Sequence, residues 1–215
     1  MQTDAQLAAL VRDAYTATPS VQGTDDVRAV FIDFDDELVV AITGTLTVPG
    51  WLSDFEFWPD FDPRLGRCHS GFLRNGHMLW ALIKSAVLKA CAAKKLVTYA
   101  GHSLGAAEAQ ICAAEHVVFG FPTPRVVTFG SPRVALWVNS DFRKILAPVD
   151  MTLYKRAGDP VPHVPFSRLL LGLWFCHQRV NTIIGAVLPH YDWDFPLDPI
   201  NDPNHGIVNY AADLS

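Results

Sequence analysis

The sequence of 215 residues has few cysteines, no long hydrophobic run and no N-terminal leader pattern. Each of these features argues against one kind of protein. Its four cysteines, Cys68, Cys91, Cys112 and Cys176, form no C-x-x-C pair, so we expect buried reduced thiols rather than a zinc or redox site. The uncharged stretch 169–176 is far shorter than the roughly 20 residues that cross a bilayer, which argues against a transmembrane segment. The N-terminus has neither a basic start nor an apolar stretch, which predicts a cytoplasmic protein unless a leader was trimmed.

Positive charge is also scarce. The chain has 17 Lys and Arg against 22 Asp and Glu, a net charge of -5, and no basic run that could neutralise phosphates. Nucleic acid is therefore not expected as a partner, and strong attraction to anionic membranes is not expected either. A hydrophobic content of 50% excludes intrinsic disorder, and the length suits one domain spanning 1–215.

The order of apolar segments predicts an α/β fold. Helical spacing alternates with short β-branched runs, which favours a mixed, mostly parallel central sheet with helices on both faces. Functional residues are then expected where strands end. The predicted helices are 4–17, 70–93, 104–119 and 207–214; the predicted strands are 27–34, 38–42, 96–99, 126–129 and 151–155; and 46–67 is predicted to be a long irregular loop rich in aromatics.

The segment Gly101-His102-Ser103-Leu104-Gly105 has the G-x-S-x-G pattern of a nucleophile elbow. It follows the predicted strand 96–99 and precedes a predicted helix, which is the strand-turn-helix context that this turn requires. Small residues are needed on both sides because the serine sits on a strained backbone. We therefore expect Ser103 to be a nucleophile.

A serine nucleophile needs a histidine base, and the histidine needs a carboxylate to fix its tautomer. In this architecture the acid follows the serine and the histidine comes last. Asp159, just after the predicted strand 151–155, is the candidate acid, although it could be an ordinary turn residue before Pro160. His205, directly before the predicted terminal helix, is the favoured base, and His190 is the alternative.

The oxyanion that forms during acyl transfer needs two donors, one of them the backbone N–H of the residue after the nucleophile. That residue is Leu104. Thr45, which follows a glycine at the end of an earlier strand, is the candidate for the second donor, unless it is simply a strand-end threonine. The lid candidate 46–59 offers four apolar residues that could cover an acyl groove or instead fill the core: Trp51, Leu52, Phe55 and Trp58.

The order of these motifs resembles that of the class 3 lipases, also called fungal-type triacylglycerol lipases. The matching segments are Gly44-Thr45, Trp51 to Phe55, Cys68 to Phe72, Gly101 to Gly105, Thr128 to Val134, Gly158 to Pro162, and His205 with Tyr210. The resemblance implies an α/β-hydrolase fold, ester hydrolysis through an acyl-enzyme on Ser103, a mobile lid, and no metal or organic cofactor.

The sequence thus predicts a carboxylic ester hydrolase that acts on lipid or other acyl esters and touches a lipid interface transiently. A phospholipase, a short-chain esterase or an aromatic-acid esterase of the same fold are alternatives, because the shape of the pocket decides the acyl group. A non-catalytic scaffold or binding protein is the alternative from another class.

Overall fold

Helices and strands alternate along the chain in a computed structural model that describes residues 1–24, 27–44, 58–136, 138–164, 175–176, 181–184 and 205–215. The helices are α1 (Asp4–Ala14), α2 (Ser70–Ala92), α3 (Leu104–Val118), α4 (Ser140–Leu146) and α5 (Ile207–Leu214), with a 3₁₀ turn at Val161–His163. The strands are β1 (Val21–Gln22), β2 (Arg28–Asp33), β3 (Glu37–Ile42), β4 (Pro59–Asp62), β5 (Gly66–His69), β6 (Leu96–His102), β7 (Arg125–Phe129), β8 (Ala135–Leu136), β9 (Asp150–Arg156), β10 (Phe175–Cys176) and β11 (Asn181–Ile184).

The larger sheet has the strand order β1-β2-β3-β6-β7-β9-β11. Its strands from β3 to β11 run parallel, while β1 and β2 are antiparallel additions at one edge. The prediction of a mixed, mostly parallel sheet is therefore confirmed. Among the residues described, no helix combines the length and apolar character of a membrane span.

Alternating side chains of β3 build two cores, one on each face of this sheet. Leu38, Val40 and Ile42 pack into the core shared with α2 and α3. Val39 and Ala41 pack into the core shared with α1 and α5. Because every residue of this strand is buried, the strand appears in the sequence as a continuous apolar run, as parallel sheets covered on both faces require.

A second, smaller sheet corrects the later part of the irregular loop expected over 46–67, whose residues 46–57 lie outside the described residues. Its order is β10-β8-β5-β4, and β4 with β5 forms an antiparallel hairpin. The turn closes because Asp62 Oδ1 accepts hydrogen bonds from the backbone of Arg64 and Leu65, at 2.7 and 2.8 Å. Across the hairpin the Arg67 guanidinium lies 5.7 Å from the ring of Phe61. Exposed residues in β4 hide the alternation by which a strand is recognised in the sequence.

The thiols that the structure describes agree with the expectation of reduced cysteines. Cys68 and Cys112 are buried, Cys91 is partly buried, and none of the three is in a disulfide. Burial raises the pKa of the Cys68 and Cys112 thiols, which keeps both protonated and unreactive.

Candidate active site

Ser103 occupies a sharp turn between β6 and α3. Its backbone has φ 57° and ψ -125°, a strained conformation for a residue with a side chain. The turn is held by the Ser103 N–H, which donates to the Phe129 carbonyl at 3.0 Å, and by the Ser103 carbonyl, which accepts from Ala106 N at 3.0 Å. The side chain is only 4% exposed. This geometry matches the elbow that the G-x-S-x-G pattern predicts.

Glycines on both sides let the elbow pack against its neighbours. A Cβ on Gly105 would lie 2.5 Å from the carbonyl oxygens of Ile42 and Thr43, and a Cβ on Gly101 would collide with the backbone of Gly105. These are backbone atoms that cannot move aside cheaply. The helix α3 therefore approaches β3 and β6 closely enough to fix the turn that carries Ser103.

Asp159 and His205 contact each other in the buried interior of the protein. His205 Nδ1 donates to Asp159 Oδ2 at 2.8 Å, and both side chains are buried. Because a carboxylate only accepts, Nδ1 carries a proton, and in the tautomer that this bond selects Nε2 is the nitrogen with the lone pair. Asp159 lies just after β9, and His205 lies two residues before α5, so two distant loops supply the pair. His190, the alternative base, lies outside the described residues.

Two further donors hold the carboxylate of Asp159. The Tyr210 hydroxyl donates to Oδ2 at 2.6 Å, and Val161 N donates to Oδ1 at 2.8 Å. Burial, first, and the charge of Asp159 raise the pKa of Tyr210, so this hydroxyl stays protonated and remains a donor. Tyr210 was noted in the sequence only through the family resemblance, and its contact with Asp159 became evident in the fold.

Gly130, at the end of β7, leaves room for the Asp159 and His205 pair. Its φ of 61° lies in the left-handed region, and a Cβ there would lie 2.7 Å from Asp159 Oδ2 and 3.0 Å from His205 Nδ1. A larger residue would therefore push against both partners of the hydrogen bond.

His102 links this pair to the elbow. It directly precedes Ser103, and its ring centroid lies 4.6 Å from that of His205. Its Nε2 lies 2.7 Å from the His205 carbonyl oxygen. The structure thus places the buried pair of Asp159 and His205 against His102, the residue that directly precedes Ser103, near the ends of β6, β7 and β9.

The predicted oxyanion donors are described in part. Leu104 is the first residue of α3, where backbone N–H groups have no partner within the helix and the helix dipole favours negative charge. A Cβ on Gly44 would lie 2.9 Å from Ser103 Cβ, so the backbone just before Thr45 passes directly beside the elbow. Thr45 itself lies outside the described residues.

Most of the lid candidate 46–59 also lies outside the described residues, including Trp51, Leu52 and Phe55. Trp58 is described and is 62% exposed, and Pro59 begins β4 rather than ending a loop. Within the ranges that the structure describes, no group of three or more His, Cys, Asp or Glu is arranged to hold a metal ion.

The fold is that of an α/β-hydrolase, and the sequence narrows the class of protein to a family. Residues 39–169, more than half of the chain, match Lipase (class 3). The chain is 32% identical over 163 residues to the secreted mono- and diacylglycerol lipase 1 of Fusarium solani, covering 72% of this chain and 48% of that protein. The chain therefore belongs to the class 3 lipase family.

A second curated relative and a crystal structure are also similar to this chain. The secreted mono- and diacylglycerol lipase A of Penicillium cyclopium is 28% identical over 197 residues, which cover 86% of this chain and 55% of that protein. The crystal structure of the Lip2 lipase from Yarrowia lipolytica superposes with a TM-score of 0.66 at 18% identity, covering 83% of this chain and 77% of that one. The chain spans about half the length of these two curated relatives. Both are named as secreted, so the expectation of a cytoplasmic protein gains no support from them.

Proposed function

We propose that this protein hydrolyses carboxylic esters of lipids through an acyl-enzyme formed on Ser103. The observation that carries the proposal is the buried hydrogen bond between His205 Nδ1 and Asp159 Oδ2, at 2.8 Å, beside a serine held at φ 57°. A strained serine, an imidazole and a buried carboxylate that orients it form the set of groups that acyl transfer through a serine requires.

In this mechanism His205 Nε2 takes the proton of the Ser103 hydroxyl as the oxygen attacks the ester carbonyl. Asp159 keeps the imidazole in the correct tautomer and stabilises the imidazolium that forms. Tyr210 and Val161 N prevent the carboxylate from turning away from His205. His205 then protonates the leaving alcohol, and water attacks the acyl-enzyme with His205 again acting as base.

Leu104 N–H and Thr45 are proposed to hold the oxyanion. The position of Leu104 at the start of α3 supports the first donor, and the close approach of Gly44 to Ser103 supports the second. Such donors are worth roughly 10²- to 10³-fold in kcat each in serine hydrolases.

For the substrate we propose acylglycerol esters, supported by the two curated relatives that are named mono- and diacylglycerol lipases. We also propose that the lid candidate 46–59 covers the acyl groove and touches the lipid surface. The exposed Trp58 at its end supports this role, because a large aromatic side chain suits the interface between water and lipid. No partner other than the ester and its lipid surface is required.

The first experiment measures hydrolysis of p-nitrophenyl esters from acetate to palmitate and of monoacylglycerols and diacylglycerols, with and without micelles. Ser103→Ala should abolish turnover, whereas Ser20→Ala, at an exposed serine just before the edge strand β1, should not. Labelling with a fluorophosphonate, followed by mass spectrometry of the modified peptide, identifies the nucleophile. A folded wild-type protein that neither turns over esters nor labels on Ser103 contradicts the proposal and favours the scaffold alternative.

The range of esters that the protein hydrolyses distinguishes among the remaining alternatives. A preference for long micellar esters supports a lipase with a working lid, whereas activity confined to short soluble esters indicates an esterase and argues against the lid. Turnover of phospholipids or of aromatic acid esters in preference to acylglycerols would instead point to those hydrolases, because the acyl pocket decides among them.

Two broader proposals accompany this one. We propose that 1–215 form a single catalytic domain, since both cores share one sheet, and a single cooperative unfolding transition in a denaturant titration tests this. We also propose export from the cell, supported by the relatives named as secreted, and fractionation of the producing cells from their medium tests that.

A further inference from the structure

Three hydrogen bonds form a continuous chain from Gly44 to His205 through two residues to which the mechanism gives no role. Gly44 N lies 2.9 Å from the Tyr15 hydroxyl, which lies 2.7 Å from His102 Nδ1. His102 Nε2 lies 2.7 Å from the His205 carbonyl oxygen. Tyr15 and His102 are 4% and 0% exposed. These bonds therefore form in a dry environment, where directional polar contacts count most.

The chemistry of the two ends fixes every proton in this chain. A carbonyl oxygen only accepts, so His102 Nε2 carries a proton and donates to His205. Gly44 N–H only donates, so it gives its hydrogen bond to the Tyr15 oxygen. The Tyr15 hydroxyl proton is then directed at His102 Nδ1, which accepts in the neutral ring.

The neutral ring is also the form that the surroundings favour. Burial, followed by the neighbouring His205, holds the pKa of His102 well below its ordinary range. A charged His102 would stand beside the imidazolium that forms on His205 during turnover, with ring centroids 4.6 Å apart. A neutral imidazole can hold the His205 backbone without opposing that charge.

The chain connects parts of the molecule that are remote in sequence but adjoin Ser103. Tyr15 ends α1, Gly44 follows β3 beside the predicted oxyanion donor Thr45, and His102 precedes Ser103. His205 stands just before α5. One end of the hydrogen-bond chain therefore holds Gly44, in the predicted oxyanion segment Gly44-Thr45. The other end holds the backbone of the candidate base, His205.

We propose that Tyr15 and His102 are positioning residues that fix the oxyanion segment and the His205 backbone relative to each other across Ser103. The inference rests on the proposed function, because it assigns these residues a task in the same acyl transfer. Neither residue touches the ester. Each acts through Gly44 or His205, and loss of either lets the donor and the base drift out of register with the serine.

The molecule contains a matched control for this proposal. The Tyr99 hydroxyl lies 3.0 Å from His116 Nδ1, and His116 Nε2 lies 2.7 Å from the Pro122 carbonyl oxygen. This second pair repeats the tyrosine-to-histidine and histidine-to-carbonyl bonds in the core on the α2 and α3 side of the sheet, without the backbone N–H that donates to Tyr15. No hydrogen bond or ring contact described for the pair involves Ser103, Asp159 or His205. Tyr99→Phe therefore removes the same hydroxyl from the same kind of bond without touching the site.

The test compares Tyr15→Phe with Tyr99→Phe in kcat and KM for p-nitrophenyl butyrate, in the rate of Ser103 labelling by a fluorophosphonate, and in thermal unfolding. Both variants should lose thermal stability, and Tyr15→Phe should lose more, because it also leaves the Gly44 N–H without its acceptor. Tyr15→Phe alone should lower kcat and the labelling rate, by about 10- to 100-fold, the range that small misplacements of reacting groups produce. Its KM should change by less than about two-fold, because the groups that bind the acyl chain are unaltered.

A second pair of variants covers the case in which Tyr15→Phe does not fold. The amide of His102→Gln can still donate to the His205 carbonyl, whereas the side chain of His102→Leu can neither donate nor accept. We expect His102→Gln to retain a kcat at least about five-fold above that of His102→Leu, with similar melting temperatures, because misplacement acts on kcat.

The outcomes separate the two proposals. If wild-type protein labels on Ser103 but Tyr15→Phe matches Tyr99→Phe in kcat and labelling, the two residues are merely structural and the inference is wrong. Equal kcat in the two His102 variants overturns it in the same way. If wild-type protein itself neither labels nor turns over esters, the proposed function fails first and the inference fails with it.

Discussion

Two buried tyrosine and histidine pairs use the same bonds in two regions of the molecule. Tyr15 and His102 lie on the α1 and α5 side at the strand ends, and Tyr99 and His116 lie on the α2 and α3 side. In each pair the imidazole Nε2 reaches a backbone carbonyl at 2.7 Å. The two pairs differ in the residue that carries this carbonyl, His205 or Pro122. They differ also at the tyrosine, since Gly44 N–H donates to the Tyr15 hydroxyl and no such donor to Tyr99 is found among the described residues. The same local chemistry thus stabilises a turn in one region and adjoins the candidate base in the other.

The change with the largest expected effect removes the carboxylate from the active-site region. Asp159→Asn should lower kcat by roughly 10⁴-fold, because an amide can donate to Nδ1 and so favours the wrong tautomer of His205. Steady-state kinetics and fluorophosphonate labelling measure the loss. Asp150→Asn, at an exposed carboxylate at the start of β9, is the matched control and should leave both unchanged. A modest loss in Asp159→Asn would mean that another group orients the base.

The next largest expected effect comes from comparing alanine substitutions at two glycines. Gly130 and Gly120 have similar left-handed backbones, with φ 61° and 76°, so alanine strains both, by about 1 kcal/mol. A Cβ at Gly130 would press on Asp159 and His205, whereas a Cβ at Gly120 meets nothing within 4 Å. Gly130→Ala should therefore lower kcat at least about ten-fold, and Gly120→Ala should not, as misplacement of reacting groups predicts. Equal kinetics in the two variants would show that the site tolerates the displacement.

The pH dependence of stability reflects how deeply a histidine is buried, whatever its role at the candidate active site. Burial lowers the pKa of His116 from 6.5 to about 4, so the unfolded chain binds a proton more readily than the folded one. This contribution to stability is complete above pH 6.5 and is lost as the pH falls from 6.5 to 4. Melting temperatures should fall over this window, and His116→Gln should flatten the slope. An unchanged slope in that variant would assign the loss to other groups, such as His69, whose pKa burial also lowers to about 4.

The smallest effect concerns stability alone. Tyr15→Phe and Tyr99→Phe each remove one buried hydroxyl that bonds a histidine, so each should lower the free energy of unfolding by about 1 to 2 kcal/mol. Urea titrations measure both values. The loss in Tyr15→Phe should exceed that in Tyr99→Phe by about 1 kcal/mol, because Tyr15 also accepts from Gly44 N–H and its removal leaves that buried donor without this acceptor. A much larger loss in Tyr15→Phe would mean that its effect on kcat reflects unfolding rather than positioning.

Much of the fold was predictable because its signals are local. The run 38–42, the Ala-rich helix after Ser103 and the terminal helix each carry their pattern within a few consecutive residues, and the structure has all three. The hairpin of β4 and β5 was missed, because exposed residues in β4 hide alternating polarity and because β5 pairs with β8, which is distant in the chain.

The candidate site likewise has a part that a local motif predicts and a part that depends on tertiary contacts. The elbow around Ser103 is a local motif, so the sequence alone predicted a nucleophile there, and the order of the family's motifs pointed to Asp159 and His205. Whether Asp159 was an ordinary turn residue stayed open, because a hydrogen bond across 46 positions leaves no trace in spacing. Tertiary structure brought Asp159 to His205, and it also connected Tyr15 and His102 to Gly44. Those contacts join strands and loops that are remote in the chain, and only the packing of two cores on one sheet brings them together.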